Sequence, residues 1–333
     1  MKKPEHVINQ KCRFCKDKLV LGENWKAYRK KEGSYICVKC DRIYHRKYYP
    51  GYDEPKERMI NVRDKHTCQI CGDWKYVEVH HKDGNHKNND PINLITLCPF
   101  CHKNIGRTKI VAVVSGGLDS TIFAVYCAEV LKAPLYVISF TYGQRCTKEI
   151  ERAKEILGPR CKEFKVIDIS GVKELLGKNQ LTDKSVKVEN KYAQSVVVPV
   201  RNVILLSMAS AWAYSINANY VIYGAHMSDS GGYPDCTPSF QREFQETIYT
   251  AHYHINKKGY YLDNTIVITS PAKLGMHKTE LIKLGYKHLK DNIFRTWSCY
   301  KDGKKQCGRC ESCRNRKKAF ELSEIEDKTE YIK

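Results

Sequence analysis

The chain has 333 residues, with 57 Lys+Arg against 37 Asp+Glu and a formal net charge of +20. Its 42% apolar content supports ordinary globular cores, and no stretch approaches a membrane span, which excludes a helical membrane protein and an unfolded polyelectrolyte. The length leaves room for two or three domains. Residues 1–109 carry 24 Lys/Arg and 13 Asp/Glu, a net of +11, whereas residues 110–333 carry 33 and 24, a net of +9. A third of the chain thus holds over half of the excess, which suits a polyanionic partner or anionic substrates; plain solubility is the competing explanation. No apolar segment follows the basic residues 1–6, so no secretory signal is expected and the chain reads as cytoplasmic. Twelve of the 16 cysteines fall in Cys-x-x-Cys or related clusters, which indicates metal rather than disulfides. Cys127, Cys146, Cys161 and Cys236 are left over, and Cys127 sits on an apolar helical pattern that reads as core.

In chain order, Cys12, Cys15, Cys37 and Cys40 form two knuckles that predict a closed tetrahedral structural zinc site in a small ribbon over residues 1–60. A polar connector, rich in Tyr and Lys, runs from about residue 41 to 63. Residues 61–108 repeat the theme with Cys68, Cys71, Cys98 and Cys101, and between the knuckles lie Glu78, His80, His81, Asn85, Asn88, Asn89 and Asn93. His102 follows directly on Cys101.

From Ile110 the pattern alternates strands and helices. Val111-Ala112-Val113-Val114 runs into Ser115-Gly116-Gly117-Leu118-Asp119-Ser120, and an apolar stretch with helical spacing follows. A buried strand, a tight loop and a helix N-terminus make an anion cradle: glycines let backbone N–H groups approach a phosphate, and Ser115, Ser120 and Thr121 add hydroxyls. No Gly-Lys-Ser/Thr follows, so this is not a Walker loop. The plainer alternative is a strand–helix turn with Asp119 or Ser120 as helix N-cap. Further strands are expected at 135–140, 164–169, 220–224 and 265–268, with helices at about 147–157 and 203–215. This rhythm predicts a parallel sheet with helices on both faces and a ligand site beyond the strands' carboxyl ends. Ser115–Ser120, Tyr142–Arg145 and the loop after Gly224 converge there. Cys299, Cys307, Cys310 and Cys313 lie within 15 residues and read as one closed zinc site that pins the C-terminal segment.

Residues 68–106 resemble the HNH nucleases, whose fold is a ββα-metal finger with extra zinc knuckles. The resemblance implies that the four cysteines hold zinc, that His80 helps to bind a catalytic divalent ion, that His81 deprotonates the attacking water, and that Asn93 orients the loop; His102 is a further candidate nuclease residue. The family's usual further ligand, one helical turn on, is replaced here by Gly106.

Ser115-Gly116-Gly117-Leu118-Asp119-Ser120, Tyr142-Gly143-Gln144-Arg145, Arg201-Asn202, Gly232-Tyr233-Pro234-Asp235-Cys236 and Trp297-Ser298-Cys299-Tyr300 with three trailing cysteines resemble the QueC family of 7-cyano-7-deazaguanine synthases over about residues 110–320. The resemblance implies an adenine-nucleotide α-hydrolase-like (PP-loop) α/β domain over 109–333. It also implies an ATP-dependent carbon–nitrogen ligase. In that chemistry the carboxylate of 7-carboxy-7-deazaguanine attacks the ATP α-phosphate, ammonia displaces AMP to give an amide, and a second activation yields the nitrile. Residues Val114 to Thr121 (Val114, Ser115, Gly116, Gly117, Leu118, Asp119, Ser120, Thr121) would bind ATP and its departing pyrophosphate with Mg²⁺. Arg145 and Arg201 would stabilise charge, while Tyr142, Gln144, Asn202, Tyr233 and Asp235 would contact the deazapurine. The implied cofactors are ATP, Mg²⁺ and Zn²⁺ at three structural sites, and a homodimer is compatible with the sequence. Three positions depart from the pattern: Val200 stands where glycine is usual, Ser230 where an aromatic is common, and Cys146 where histidine is frequent. Two other readings compete. An anti-phage defence paralogue would pass the acyl group to a protein or nucleic-acid amine recruited through residues 1–109. A DNA nuclease would use the QueC-like part only to sense a nucleobase.

Overall fold

A computed structural model of the chain describes Lys11, Lys56 and residues 59–183, 185–189, 193–252 and 266–332. The chain divides into two compact units, Met1–Arg63 and Asp64–Lys333. Cys12, Cys15, Cys37 and Cys40 lie outside the described residues, so the expected ribbon has no structural account. Among the described residues, no helix is long and apolar enough to cross a membrane.

The second unit opens with an antiparallel pair, β1 (Glu78–His81) and β2 (Leu94–Leu97), followed by the short helix α1 (Pro99–Lys103). A five-stranded parallel sheet follows: β3 (Ile110–Val113), β4 (Leu135–Thr141), β5 (Glu163–Asp168), β6 (Tyr220–Ile222) and β7 (Val267–Thr269), in the order β5-β4-β3-β6-β7. Chain order reverses at β3, so the gap between β3 and β6 is the switch point where such sheets bind ligands. Among the described residues, the further α-helices are α2 (Leu118–Leu131), α3 (Lys148–Leu157), α4 (Arg201–Ser215), α5 (Pro238–His252), α6 (Lys278–Leu289) and α7 (Glu311–Leu322).

Strand alternation sorts the helices into two layers. On β3, Ile110 and Ala112 face a core shared with α2, α3, α6 and α7, and Val111 faces a second core with α4 and α5. Both faces are covered, which is why β3 and β6 read as unbroken apolar runs. The strand–helix alternation expected from the sequence is present, with β7 one residue later than the expected end.

The finger is part of the first of these cores. Cys68, Ile70, Leu97 and Cys101, all fully buried, pack in one continuous cluster with Ile110 and Ile122. Thr269 Oγ1 donates to Ile70 O at 2.8 Å, Tyr126 Oη donates to Gln69 O at 3.1 Å, and Phe100 lies 6.0 Å from the Tyr220 ring. The expected boundary between residues 108 and 109 therefore falls inside the second compact unit.

Candidate active site

The loop after β3 is closed by its own side chains. Ser115 N donates to Ser120 Oγ at 3.3 Å, Gly117 N donates to Ser115 Oγ at 3.2 Å, and Thr121 Oγ1 donates to Gly117 O at 2.7 Å. Gly116 has φ +95°, and a Cβ there would lie 1.7 Å from the carbonyl oxygen of Glu149. Only glycine satisfies both conditions. A Cβ on Gly224, at the end of β6, would lie 2.6 Å from Ser120 N, so β6 also depends on glycine to reach the loop. The cap of α2 is Gly117 without a side-chain bond, so neither Asp119 nor Ser120 is an N-cap. The plain-turn alternative thus fails for both residues, because their side chains are turned to other partners.

Asp119 is the clearest case. Its Oδ2 accepts from Lys278 Nζ at 2.9 Å, and its Oδ1 is buried without a hydrogen-bond partner, His226 Nε2 standing 3.7 Å away. Burial alone raises a carboxyl pKa, yet the Lys278 ammonium and His226 hold Asp119 below the usual range. Asp229, 3.4 Å from His226 Nδ1, is pushed up instead, with burial as the main cause.

These groups open onto a cavity of about 270 Å³ lined by Ser115, Gly117, Asp119, Ser120, Glu149 and Arg201 among others. A neighbouring cavity of about 210 Å³ adds Tyr233, Asp235 and Glu311. The two share Asp119, Asp229, Arg201, Cys236, Lys278 and Tyr300, so they are lobes of one cleft. The C-terminal segment forms one wall: Trp297 N donates to Gly116 O at 3.2 Å, and Trp297, Ser298 and Tyr300 line the larger lobe.

The family model described as "Queuosine biosynthesis protein QueC" matches residues 109–324. The chain belongs to the QueC family. The 7-cyano-7-deazaguanine synthase of Psychromonas ingrahamii is 37% identical over 228 residues, covering 67% of this chain and 97% of the relative. Synthase 1 of Colwellia psychrerythraea is 38% identical over the same length, covering 67% and 98%. The NH3-dependent NAD synthetase from Campylobacter jejuni subsp. jejuni NCTC 11168 in complex with the nitrate ion is 17% identical at TM-score 0.35. It covers 58% of this chain and 71% of that one, a likeness too loose to bear on the fold.

Among the residues expected from the QueC motifs, Val114, Ser115, Gly117, Leu118, Asp119, Ser120, Tyr142, Gln144, Arg201 and Asn202 line the larger lobe, and Tyr233 and Asp235 the smaller. Thr121 is buried behind the loop. Arg145 lines neither lobe: its guanidinium donates to the carbonyls of Asp183 and Val186 and holds the 181–186 segment. Gln144 folds onto its own loop, accepting from Tyr142 N at 2.7 Å and donating to Phe140 O at 3.0 Å. Asp235 Oδ2 accepts from Asn202 N at 3.0 Å, which caps α4 from outside the helix. Glu149, Lys278, His226 and Asp302 were not singled out by the sequence. Asp302 Oδ1 accepts from Thr147 N at 3.0 Å and Lys148 N at 3.1 Å, and so caps α3 across the chain.

The QueC departures have structural correlates. Val200 caps α4 at φ +47°, and its side chain is 60% exposed. A β-branched residue there is strained by roughly 1–2 kcal/mol. Val200→Gly is expected to stabilise the protein by about 0.5–1 kcal/mol after the greater freedom of unfolded glycine is deducted, a rise readable in thermal denaturation. Cys146 is buried beside Trp297, Cys299, Cys310 and Cys313.

Two cysteine sets fit zinc. In each of Cys68/Cys71/Cys98/Cys101 and Cys299/Cys307/Cys310/Cys313, the sulfurs lie within 4.8 Å of one another. Cys71 and Cys98 sulfurs are 3.6 Å apart, and those of Cys307 and Cys313 are 3.9 Å apart. Tetrahedral thiolates around zinc stand about 3.8 Å apart. With four sulfurs each, these cages leave no open position for substrate.

In the finger, the rings of His80 and His102 are 4.9 Å apart, and His102 Nδ1 is 2.5 Å from Glu78 Oε1. His81 Nε2 meets Asn89 Oδ1 at 3.0 Å, and its Nδ1 is buried without a partner. Asn93 Nδ2 donates to Asp83 Oδ1 at 2.9 Å and to Asn88 O at 2.8 Å, bracing the loop between β1 and β2. α1 ends at Lys103, and Gly106 turns at φ +69° into the approach to β3. Position 106 is therefore off the helical face that carries His102.

Proposed function

We propose that the chain is an ATP-dependent ligase that adenylates 7-carboxy-7-deazaguanine and passes it to ammonia, giving the 7-amide and then the 7-cyano product. The observation that carries this reading is the union in one cleft of the Gly116–Gly117 loop, the Asp119–Lys278 pair and Arg201, at the carboxyl ends of β3, β4 and β6. QueC membership and synthase relatives matched over nearly their whole length support it.

A carboxylate does not react with ammonia because oxide is a poor leaving group; adenylation replaces it with a phosphate. The larger lobe would take the nucleotide, with the first turn of α2 directed at the departing pyrophosphate and the Ser115 and Gly117 N–H groups exchanging their bonds to the Ser120 and Ser115 hydroxyls for phosphate oxygens. Arg201 and Lys278 add positive charge in the wall of the cleft. Asp119 would hold Mg²⁺, since its Oδ1 is a hard oxygen buried without a hydrogen bond; the ion would neutralise charge on the phosphates. The smaller lobe would take the deazapurine, where Asp235 Oδ1, which accepts only a weak bond from the Cys236 thiol at 3.9 Å, could receive adjacent N–H donors and Tyr233 would offer a ring face.

Incubation with 7-carboxy-7-deazaguanine, ATP, Mg²⁺ and ammonium, read by mass spectrometry, tests the assignment. Amide and nitrile masses with stoichiometric AMP are expected. Absence of all three would remove the proposal.

A further inference from the structure

Glu149 lies in the first turn of α3, and its own carbonyl oxygen occupies the space that a Gly116 side chain would need. The carboxylate is thereby fixed against the anion loop, in the wall of the larger lobe. Each of the other carboxylates of the cleft has at least one oxygen held close to a polar or cationic group of the protein. Asp119 is paired with Lys278 at 2.9 Å, Asp229 lies 3.4 Å from His226, Asp235 accepts from Asn202 N, and Glu311 accepts from Tyr300 Oη at 2.6 Å. Among the described residues, Glu149 has neither an ion pair nor an amide partner within reach; it meets only the Ser115 hydroxyl, with Arg201 farther off. A half-buried acid with spare acceptor capacity thus stands in the wall of the larger lobe, against the anion loop.

We propose that Glu149 is the proton acceptor of the amine-transfer step. This rests on the ligase reading above. At neutral pH ammonia arrives as ammonium, which has no lone pair to attack with. In its ionised form Glu149 attracts the cation and takes one proton. The freed amine then forms the C–N bond as the C–O bond to phosphate breaks, and AMP leaves with that electron pair. The second proton lost by nitrogen departs on the AMP phosphate, and Glu149 returns its proton to water after product release. The same carboxylate is in place to take the nitrogen proton when the activated amide becomes the nitrile. Burial pushes the Glu149 pKa up to about 8; Arg201 and the Ser115 hydrogen bond oppose the rise, and Asp302 adds to it. At pH 7 the acid form of Glu149 therefore predominates by about tenfold, and the ammonium-dependent rate should rise with pH toward 8 as the accepting carboxylate becomes populated. Tyr142 and Cys146 are the other titratable groups facing it.

The test compares two nucleophiles in wild type and Glu149→Gln. Hydroxylamine is neutral at neutral pH and attacks without losing a proton first. In the variant, ammonium-dependent amide formation should fall about 10²-fold or more, while hydroxylamine-dependent hydroxamate formation falls less than about 10-fold. Glu149→Asp should recover part of the ammonium rate. Equal losses with both nucleophiles would mean that Glu149 only shapes the loop, and no loss with either would mean that it does nothing; each overturns the proposal. A wild-type protein that makes neither amide nor hydroxamate would instead refute the ligase reading, and this inference with it.

Discussion

Gly116→Ala is expected to lower ATP-dependent turnover by about 10²-fold or more, because displacing a reacting group by even an ångström costs that much. The added methyl would sit 1.7 Å from Glu149 O, a backbone atom that cannot rotate away, at φ +95°. The start of α3 must retreat or the loop must open, and both disturb the anion cradle. Gly117→Ala is the control. Its backbone is in the ordinary extended region, and the nearest atom to a Cβ is Ser115 Oγ at 3.2 Å, so a much smaller loss is expected. Steady-state AMP release from both variants, with melting curves to confirm folding, decides the matter. Equal activities would mean that the turn is not shaped for a ligand.

The second large effect concerns the finger's metal. Cys68→Ser is expected to remove one equivalent of zinc and to lower the melting temperature of the whole Asp64–Lys333 unit, not of a finger alone. Cys68 and Cys101 are fully buried in the cluster that includes Ile110 and Ile122, so the cage cannot open without exposing the sheet's own core. Structural zinc contributes on the order of 10 kcal/mol to small folds. Loss of even half would move a domain of this size by about 10 °C or more. One lowered transition, with zinc measured by atomic spectroscopy, is the predicted result. Two separate transitions with synthase activity intact would show an autonomous finger.

The parts legible in the sequence were those with local chemistry. The run from Val111 to Ser120 announces a buried strand, a turn and a helix by itself, and two of the three cysteine spacings announce the four-sulfur clusters at Cys68/Cys71/Cys98/Cys101 and Cys299/Cys307/Cys310/Cys313. What was not legible depends on distance along the chain. Lys278 is one cation among 57 Lys+Arg, and only folding brings it 2.9 Å from Asp119, 159 residues away. Asp302 caps α3 over a similar span, and no helical pattern of its own marks it. Glu149 was hidden in a charged helix, where a carboxylate is unremarked until the loop beside it shields it from water. Arg145 illustrates the converse. Its motif suggests phosphate, but backbone carbonyls are invisible in sequence, and two of them hold its guanidinium. The finger's docking was equally hidden, because apolar residues such as Ile70 and Leu97 are as consistent with a small private core as with a shared one.

The most direct test of the account is a crystal structure with a non-hydrolysable ATP analogue and Mg²⁺. Phosphates are expected against the backbone of Ser115, Gly117 and Ser120, with Lys278 and Arg201 turned toward them. A nucleotide bound elsewhere, with the loop after β3 empty or filled by protein side chains, would contradict it.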